Sequence, residues 1–166
     1  MRRILIDNCE TDLTQCSFGF PWKHDSICYN FRRPDVFILA NDIENIADVA
    51  DIETVVIGCE LENYDFIADM VNLRQLYIYD GRRIVDLQFI EKLLKLQQLY
   101  IQDSHVENLE GLVHLIDEKK KYYDQEDEFW EKIEYGMEGI CIMSDGTSNS
   151  RKELLAPGLF ITEIIV

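Results

Sequence analysis

Residues 72–81 read NLRQLYIYDG and residues 95–104 read KLQQLYIQDS, so that six of the ten positions are identical. Both stretches combine aliphatic and aromatic residues, which favour β-strands, without a clean alternation of apolar and polar side chains. A sequence that returns after 23 residues indicates an internal repeat. An internal repeat is a stronger guide to the architecture of a chain than any local pattern.

The repeated unit extends well beyond these ten residues. Apolar residues recur at every third position and end in a pair two positions apart, as in the run from Leu61 to Ile78. Such units begin at positions 40, 61, 84 and 106, so their spacings are 21, 23 and 22 residues, and the fourth unit stops after Leu115. The step of two predicts a strand, and the step of three predicts a helical turn or helix on the same core.

Stacked units of this kind bury a stripe of apolar side chains that no single unit could bury alone. The strand motifs are Ile52-x-x-Val55-x-Ile57, Leu73-x-x-Leu76-x-Ile78 and Leu96-x-x-Leu99-x-Ile101. They resemble the leucine-rich repeat family in its short class of about 22 residues per repeat. The resemblance covers residues 34–116. It implies an α/β leucine-rich repeat solenoid with a parallel strand face and helical segments on the convex side.

The asparagine that the family favours after the strand motif is present in only one of the copies. Asn41 follows the looser strand motif Val36-x-Ile38 at the place where the family favours asparagine. Glu60, Gly81 and Ser104 stand there in the other copies. We therefore expect less regular turns after those strands than the family usually has.

We expect the chain to form one domain, with irregular caps at residues 1–33 and 117–166. Arg2 to Cys9 is interpreted as a strand, followed by an aromatic insertion that covers the first coil. The segments GICIM at 139–143 and GLFITEIIV at 158–166 are interpreted as two further strands. Caps are needed because an uncovered end would leave an apolar face and a strand edge open to association.

The charge of the chain restricts the classes of partner. Its 166 residues carry a formal net charge of −16, which argues against binding to nucleic acid or to an anionic membrane surface. The same charge favours a basic protein partner through long-range attraction. Without a bilayer-spanning run or a signal peptide in MRRILIDNCE, we expect a cytoplasmic protein whose cysteines are reduced.

The candidate site is the strand face opposite the repeat core. In the resembled family this concave face binds the partner, so residues between the inward positions become candidates. Aromatic side chains there would supply contact area, and the acidic residues beyond them would form a rim. The candidate partner-binding residues are Phe37, Val56, Gln75, Tyr77, Tyr79, Asp80, Gln98, Tyr100, Gln102 and Asp103.

The function that we predict is non-catalytic protein recognition. A small acidic repeat protein would suit an immunity protein that neutralises a basic toxin. Replacing Tyr77 and Tyr100 together by alanine is then expected to leave the fold intact. Two alternatives stay open for this row of side chains, because cross-strand aromatic pairs also stabilise sheets without a partner, and because a terminal segment could cover the row.

Catalysis, a metal and a cofactor are not expected. Cys9, Cys16, His24 and Cys28 lack the spacing of a zinc site, and the acidic run at 124–128 lacks the glycine of a calcium loop. No phosphate loop or nucleophile elbow occurs. The rival hypothesis is a scaffold or regulatory subunit whose activity lies in the C-terminal segment, around Cys141, Ser144 and Asp145, and self-association through an exposed edge is a third.

Overall fold

The computed structural model describes residues 2–8, 34–125, 135–137, 139–144 and 164–165. In this part of the chain the strands form a single open sheet in which every neighbouring pair is parallel. The strands are β1 (Arg2–Asp7), β2 (Val36–Leu39), β3 (Ile52–Ile57), β4 (Gln75–Ile78), β5 (Gln98–Ser104), β6 (Gly139–Ser144) and β7 (Ile164–Ile165). The expected α/β class with a parallel strand face is confirmed.

The order of the strands in the sheet differs from their order in the chain at the amino-terminal end. The order is β2-β1-β3-β4-β5-β6-β7, so β1 lies between β2 and β3. Leu5 accordingly pairs with Phe37 on one side and with Val56 on the other. β1 thus separates β2 from β3, whereas from β3 onward the order follows the chain.

The repeat keeps equivalent residues in register across the sheet. Val55 pairs with Leu76, and Leu76 pairs with Leu99. The next equivalent row contains Ile57, Ile78 and Ile101. Because parallel strands point equivalent side chains to the same face, each row adds aliphatic surface to one core. These side chains are at most 1% exposed.

Short 3-10 helices lie in the connections from β2 to β3, from β3 to β4 and from β4 to β5. They span Ala40–Asn45, Val49–Asp51, Asp65–Asp69 and Gln88–Ile90. A 3-10 helix has three residues per turn, so an apolar residue at every third position stays on one side of it. This geometry explains the step of three in the repeats. Such connectors are narrower and shorter than the helices that the sequence also allowed.

One α-helix, α1, spans Glu110–Gln125. Asn108 begins it, because its side-chain oxygen accepts a hydrogen bond from the backbone N–H of Glu110 at 2.7 Å. The buried side chains Leu112, Leu115 and Ile116 follow the spacing of one helix face. The helix runs without interruption past position 116, where the C-terminal cap was expected to begin. Of the helices in the described residues, none has the length and apolar character that crossing a bilayer requires.

The beginning of α1 packs directly against backbone. A Cβ atom added at Gly111 would lie 2.2 Å from the carbonyl oxygen of Leu87 and 2.9 Å from the nitrogen of Gln88. Backbone atoms cannot move aside as a flexible side chain can. Glycine at this position therefore allows α1 to approach the segment before the 3-10 helix at 88–90.

We predict that Gly111→Ala lowers the free energy of unfolding by about 1–2 kcal/mol, because overpacking against backbone outweighs the better helix propensity of alanine. Urea denaturation followed by circular dichroism measures the change. Lys120→Ala, at an exposed position of the same helix, is the control and should have a much smaller effect. A Gly111→Ala variant as stable as the wild type would contradict the close packing.

Candidate functional site

The expected row of side chains on the second face of the sheet is present. Val56 pairs with Tyr77, Tyr77 with Tyr100, and Tyr100 with Cys141. Phe37 belongs to the same row, separated from Val56 by Leu5. The register prediction for these residues is therefore confirmed, with β1 inserted.

The middle of this row is not available to a partner. Val56 is 1% exposed, Tyr77 is 3% exposed and Tyr100 is 2% exposed. None of the three belongs to the main core cluster on the opposite face. Their role as exposed anchors is wrong, because side chains inside the protein cannot contact another molecule without rearrangement. The sheet is thus buried on both faces along its centre.

The sequence carries a signal for this double burial. Strands buried on both faces are near-continuous apolar runs rather than alternating ones. The strand segments IETVVI and QLYI have little alternation. Tyrosine obscured the signal, since its hydroxyl makes it equally common at interfaces and in hydrogen-bonded interiors.

A polar ladder crosses the second face at the amino-terminal ends of the strands. Thr54 Oγ1 donates to Gln75 Oε1 at 3.1 Å, and Gln75 Nε2 donates to Gln98 Oε1 at 3.2 Å. The hydroxyl of Tyr77 also donates to Gln98 Oε1. Gln98 is 8% exposed, so its predicted contact with a partner is wrong as well. Hydrogen bonds within the ladder satisfy polar groups that burial would otherwise penalise.

The opposite ends of the strands are more open. Tyr79, Asp80, Gln102 and Asp103 are all half-buried and follow β4 or end β5. Because the carboxyl ends of parallel strands meet at one edge of a sheet, these residues form a single surface, which we call the carboxyl-edge ridge.

Contacts inside the ridge hold its side chains in place. The rings of Tyr79 and Tyr100 are tilted, with centroids 5.5 Å apart. The Tyr100 hydroxyl donates to Gln102 Oε1 at 3.1 Å, and Gln102 Nε2 donates to Asp103 Oδ2 at 3.3 Å. Burial raises the pKa of both the Tyr79 and Tyr100 phenols, so each remains neutral at physiological pH and can donate a hydrogen bond.

The acidic rim is neutralised over part of its length. Arg82 donates two hydrogen bonds of 2.7 Å to the two carboxylate oxygens of Asp80. These bonds lower the pKa of Asp80 and keep it ionised. Glu60 lies 2.6 Å from Arg83 and 3.3 Å from Arg82. No cation of the described residues pairs with Asp103, which leaves it as the uncompensated carboxylate of the ridge.

Asp103 also has an unusual backbone. Its φ angle is 53°, in the left-handed region that aspartate tolerates better than most residues. The strand pairing between β5 and β6 shifts register between Ile101 and Ser104. Pairing resumes between Ser104 and Ser144, so the irregularity is confined to Gln102 and Asp103.

Comparison with known proteins does not assign this surface. No protein-family model, curated protein or solved structure matches the chain. Any function must therefore be argued from the geometry of the chain itself.

The rival C-terminal site has little support from the described residues. Cys141 is 3% exposed in the buried row, where a thiol cannot reach a substrate. The side chain of Ser144 and the whole of Asp145 lie outside the described residues, as do Cys9, Cys16, His24 and Cys28. Within the described part of the chain, no group of three histidine, cysteine or carboxylate side chains could hold a metal ion.

The two histidines of the repeats have structural contacts. His105 Nδ1 lies 2.7 Å from the carbonyl oxygen of Arg82. His114 Nδ1 lies 2.9 Å from Glu91 Oε1 on the exposed side of α1. Neither contact places the ring beside a nucleophile, and the geometry thus gives no catalytic pair here.

Lys119 is a buried amine that the sequence analysis missed. It is fully buried, and its Nζ donates to the carbonyl oxygens of Leu94 at 2.5 Å and Leu96 at 2.7 Å. Burial, with a smaller contribution from Arg74, lowers its pKa to about 7. The run KKK suggests a solvated surface, yet position 119 continues the buried face of α1 four residues after Leu115.

We predict that Tyr77→Ala lowers the free energy of unfolding by about 3–5 kcal/mol, as expected for removing a large buried aromatic side chain. Tyr77→Phe should cost only about 1 kcal/mol, because it loses one hydrogen bond to Gln98. Urea denaturation measures both values. If Tyr77→Ala unfolds at the same urea concentration as the wild type, the residue is not interior.

We predict that Lys119 makes the protein more stable as pH rises from about 7 toward 10. Its folded pKa is below its unfolded value of 10.5, so the unfolded chain binds more protons in this range. As pH increases, the unfolding free energy of the wild type should therefore rise relative to that of Lys119→Met, by at most about 1.4 kcal/mol per pH unit. Parallel pH profiles for the two proteins would contradict a buried amine at position 119.

Proposed function

We propose that this chain is a non-enzymatic recognition protein that binds a basic protein partner through the carboxyl-edge ridge. The observation that carries the proposal is the contact chain of the ridge, in which partly exposed Tyr79 packs on Tyr100 and Gln102 links Tyr100 to the uncompensated carboxylate of Asp103. An aromatic anchor beside a charge is typical of the energetic centre of a protein interface.

We further propose a leucine-rich repeat solenoid as the architecture behind this ridge. Its support is the spacing of 21, 23 and 22 residues between units, together with the in-register pairing of equivalent residues in β3, β4 and β5. A solenoid explains why successive units deliver similar side chains to the same edge.

The ridge is pre-organised for binding. Tyr79 packs against Tyr100, and Gln102 is held between the Tyr100 hydroxyl and Asp103. A partner would therefore lose little free energy in ordering these side chains. In this account the buried Tyr77 and Tyr100 support the binding surface from inside instead of contacting the partner.

Charge supplies the attraction over longer distances. A net charge of −16 accelerates encounter with a basic protein and repels an acidic one. A cationic side chain of the partner would pair with Asp103, whereas Asp80 and Glu60 are already engaged by arginines. An immunity protein that neutralises a basic toxin in the cytoplasm would use these properties.

We predict that the double variant Tyr79→Ala, Asp103→Asn reduces affinity for the partner about 100-fold, because it removes an aromatic anchor and its neighbouring charge. The wild-type chain is immobilised, a partner is captured from native lysate, and the purified partner is then measured by surface plasmon resonance. Its association rate should fall steeply as salt is added.

The matched control is Asp69→Asn, Val71→Ala, which changes an exposed acid and an exposed apolar residue away from the ridge. It should bind as the wild type does. Equal binding by the ridge variant, or an association rate that does not change with salt, would refute recognition through this surface.

A further inference from the structure

A second surface lies at the opposite limit of the sheet, on β2. This strand pairs with β1, and no other strand of the described residues pairs with its outer side. The Arg3 carbonyl accepts from the backbone N–H of Asp35 at 2.8 Å, and the Ile6 carbonyl accepts from the backbone N–H of Gly58, next to β3, at 2.9 Å, so the odd-numbered residues of β1 face β2. Because Leu5 is in register with Phe37, it bonds to the flanking residues Val36 and Ile38, so that Phe37 and Leu39 direct their N–H and C=O groups outward.

Within β2 itself, the described residues include no charge, proline or bulge. Natural edge strands are commonly interrupted by charges, proline or a bulge. The sequence of β2 is VFIL, and its pairing with β1 has no shift of register. Leu39 is 39% exposed, one of few large apolar side chains that reach this value among the described residues. The strand therefore offers both backbone hydrogen bonds and apolar contact.

A groove of about 380 Å³ runs beside the same strand. It lies between β2 and the 3-10 helix that follows it. Apolar and polar groups share its lining, which is made by Phe37, Ile38, Leu39, Asp42, Asn45 and Ile46. Such a mixture suits alternate side chains of an added strand, one apolar and the next polar.

The chain segment that forms the groove is strongly acidic. Residues 34–53 contain no lysine or arginine and have six carboxylates, at Asp35, Asp42, Glu44, Asp48, Asp51 and Glu53. Arg3 pairs with Asp35, and Arg74 pairs with Glu53. No cation of the described ranges pairs with the other four. Arg2 donates to the backbone carbonyls of Ala47 and Asp48 instead of to a carboxylate. Six carboxylates against Arg2, Arg3 and Arg74 leave a negative net charge on the described residues beside the open edge.

We propose that the β2 edge binds an extended, lysine- or arginine-bearing segment of a partner protein, which adds to the sheet as a further strand. Backbone pairing at Phe37 and Leu39 would give affinity, and the acidic groove would select basic side chains. This site is separate from the carboxyl-edge ridge and does not depend on it. A second copy of the chain fits less well, because two edges with the same acidic surroundings would repel each other.

The test uses a fluorescent ten-residue peptide of alternating valine and lysine, titrated with the full chain and followed by anisotropy. The control peptide has the same charge but carries N-methyl groups on two adjacent central residues, which blocks both edges of a strand. The key variant is Leu39→Lys. Val85→Lys, at a 53% exposed valine outside β2, makes the same change of charge and is the matched control.

We expect saturable binding of the alternating peptide that weakens with salt and falls at least about tenfold in Leu39→Lys, a difference of about 1.4 kcal/mol. Binding should persist in Val85→Lys and in the double variant of Tyr79 and Asp103, which separates this site from the ridge. Asp42→Asn should weaken binding to a smaller extent, and it provides a second test if Leu39→Lys folds poorly.

Three results would overturn the proposal. The first is equal binding of the N-methylated peptide, since attraction by charge alone would explain it. The second is binding that Leu39→Lys and Asp42→Asn both leave unchanged. The third is a dimer, detected by light scattering, that Leu39→Lys dissociates, because the edge would then bind a second copy of the chain.

Discussion

Parallel backbone pairing in fixed register is the constraint on which the remaining structure depends. It places Val55, Leu76 and Leu99 in one row, so that each repeat extends the same core. The same pairing places Val56, Tyr77 and Tyr100 in a row on the other face. A slip of one residue would exchange these two rows and direct the polar ladder into the aliphatic core. Few other arrangements satisfy both faces at once.

Because both faces of the sheet are buried along its centre, the two proposed binding surfaces lie at the limits of the sheet. A sheet with one exposed face could bind a partner across its centre, but Tyr77 and Tyr100 have almost no accessible surface. The carboxyl-edge ridge and the β2 edge offer different chemistry, the first through side chains and the second through backbone. Both surfaces are acidic, so each would attract a positively charged partner.

The sequence predicts the parts of the fold that repeat. Steps of three and two residues located β3, β4 and β5 and their register, because every copy buries equivalent side chains. The sequence could not predict that β1 lies between β2 and β3, because an insertion that occurs only once adds no periodic pattern. The burial of Tyr77 could not be predicted either, because tyrosine suits an interface and a hydrogen-bonded interior alike. Lys119 could have been found from the spacing of Leu112 and Leu115 on α1.

The most direct test of the register is a set of cross-strand nuclear Overhauser effects between backbone protons in solution. The account predicts contacts that link Val56 with Tyr77, Tyr77 with Tyr100, and Leu5 with both Phe37 and Val56. Contacts between Phe37 and Val56 without Leu5 between them, or a pattern of antiparallel pairing among β3, β4 and β5, would contradict it.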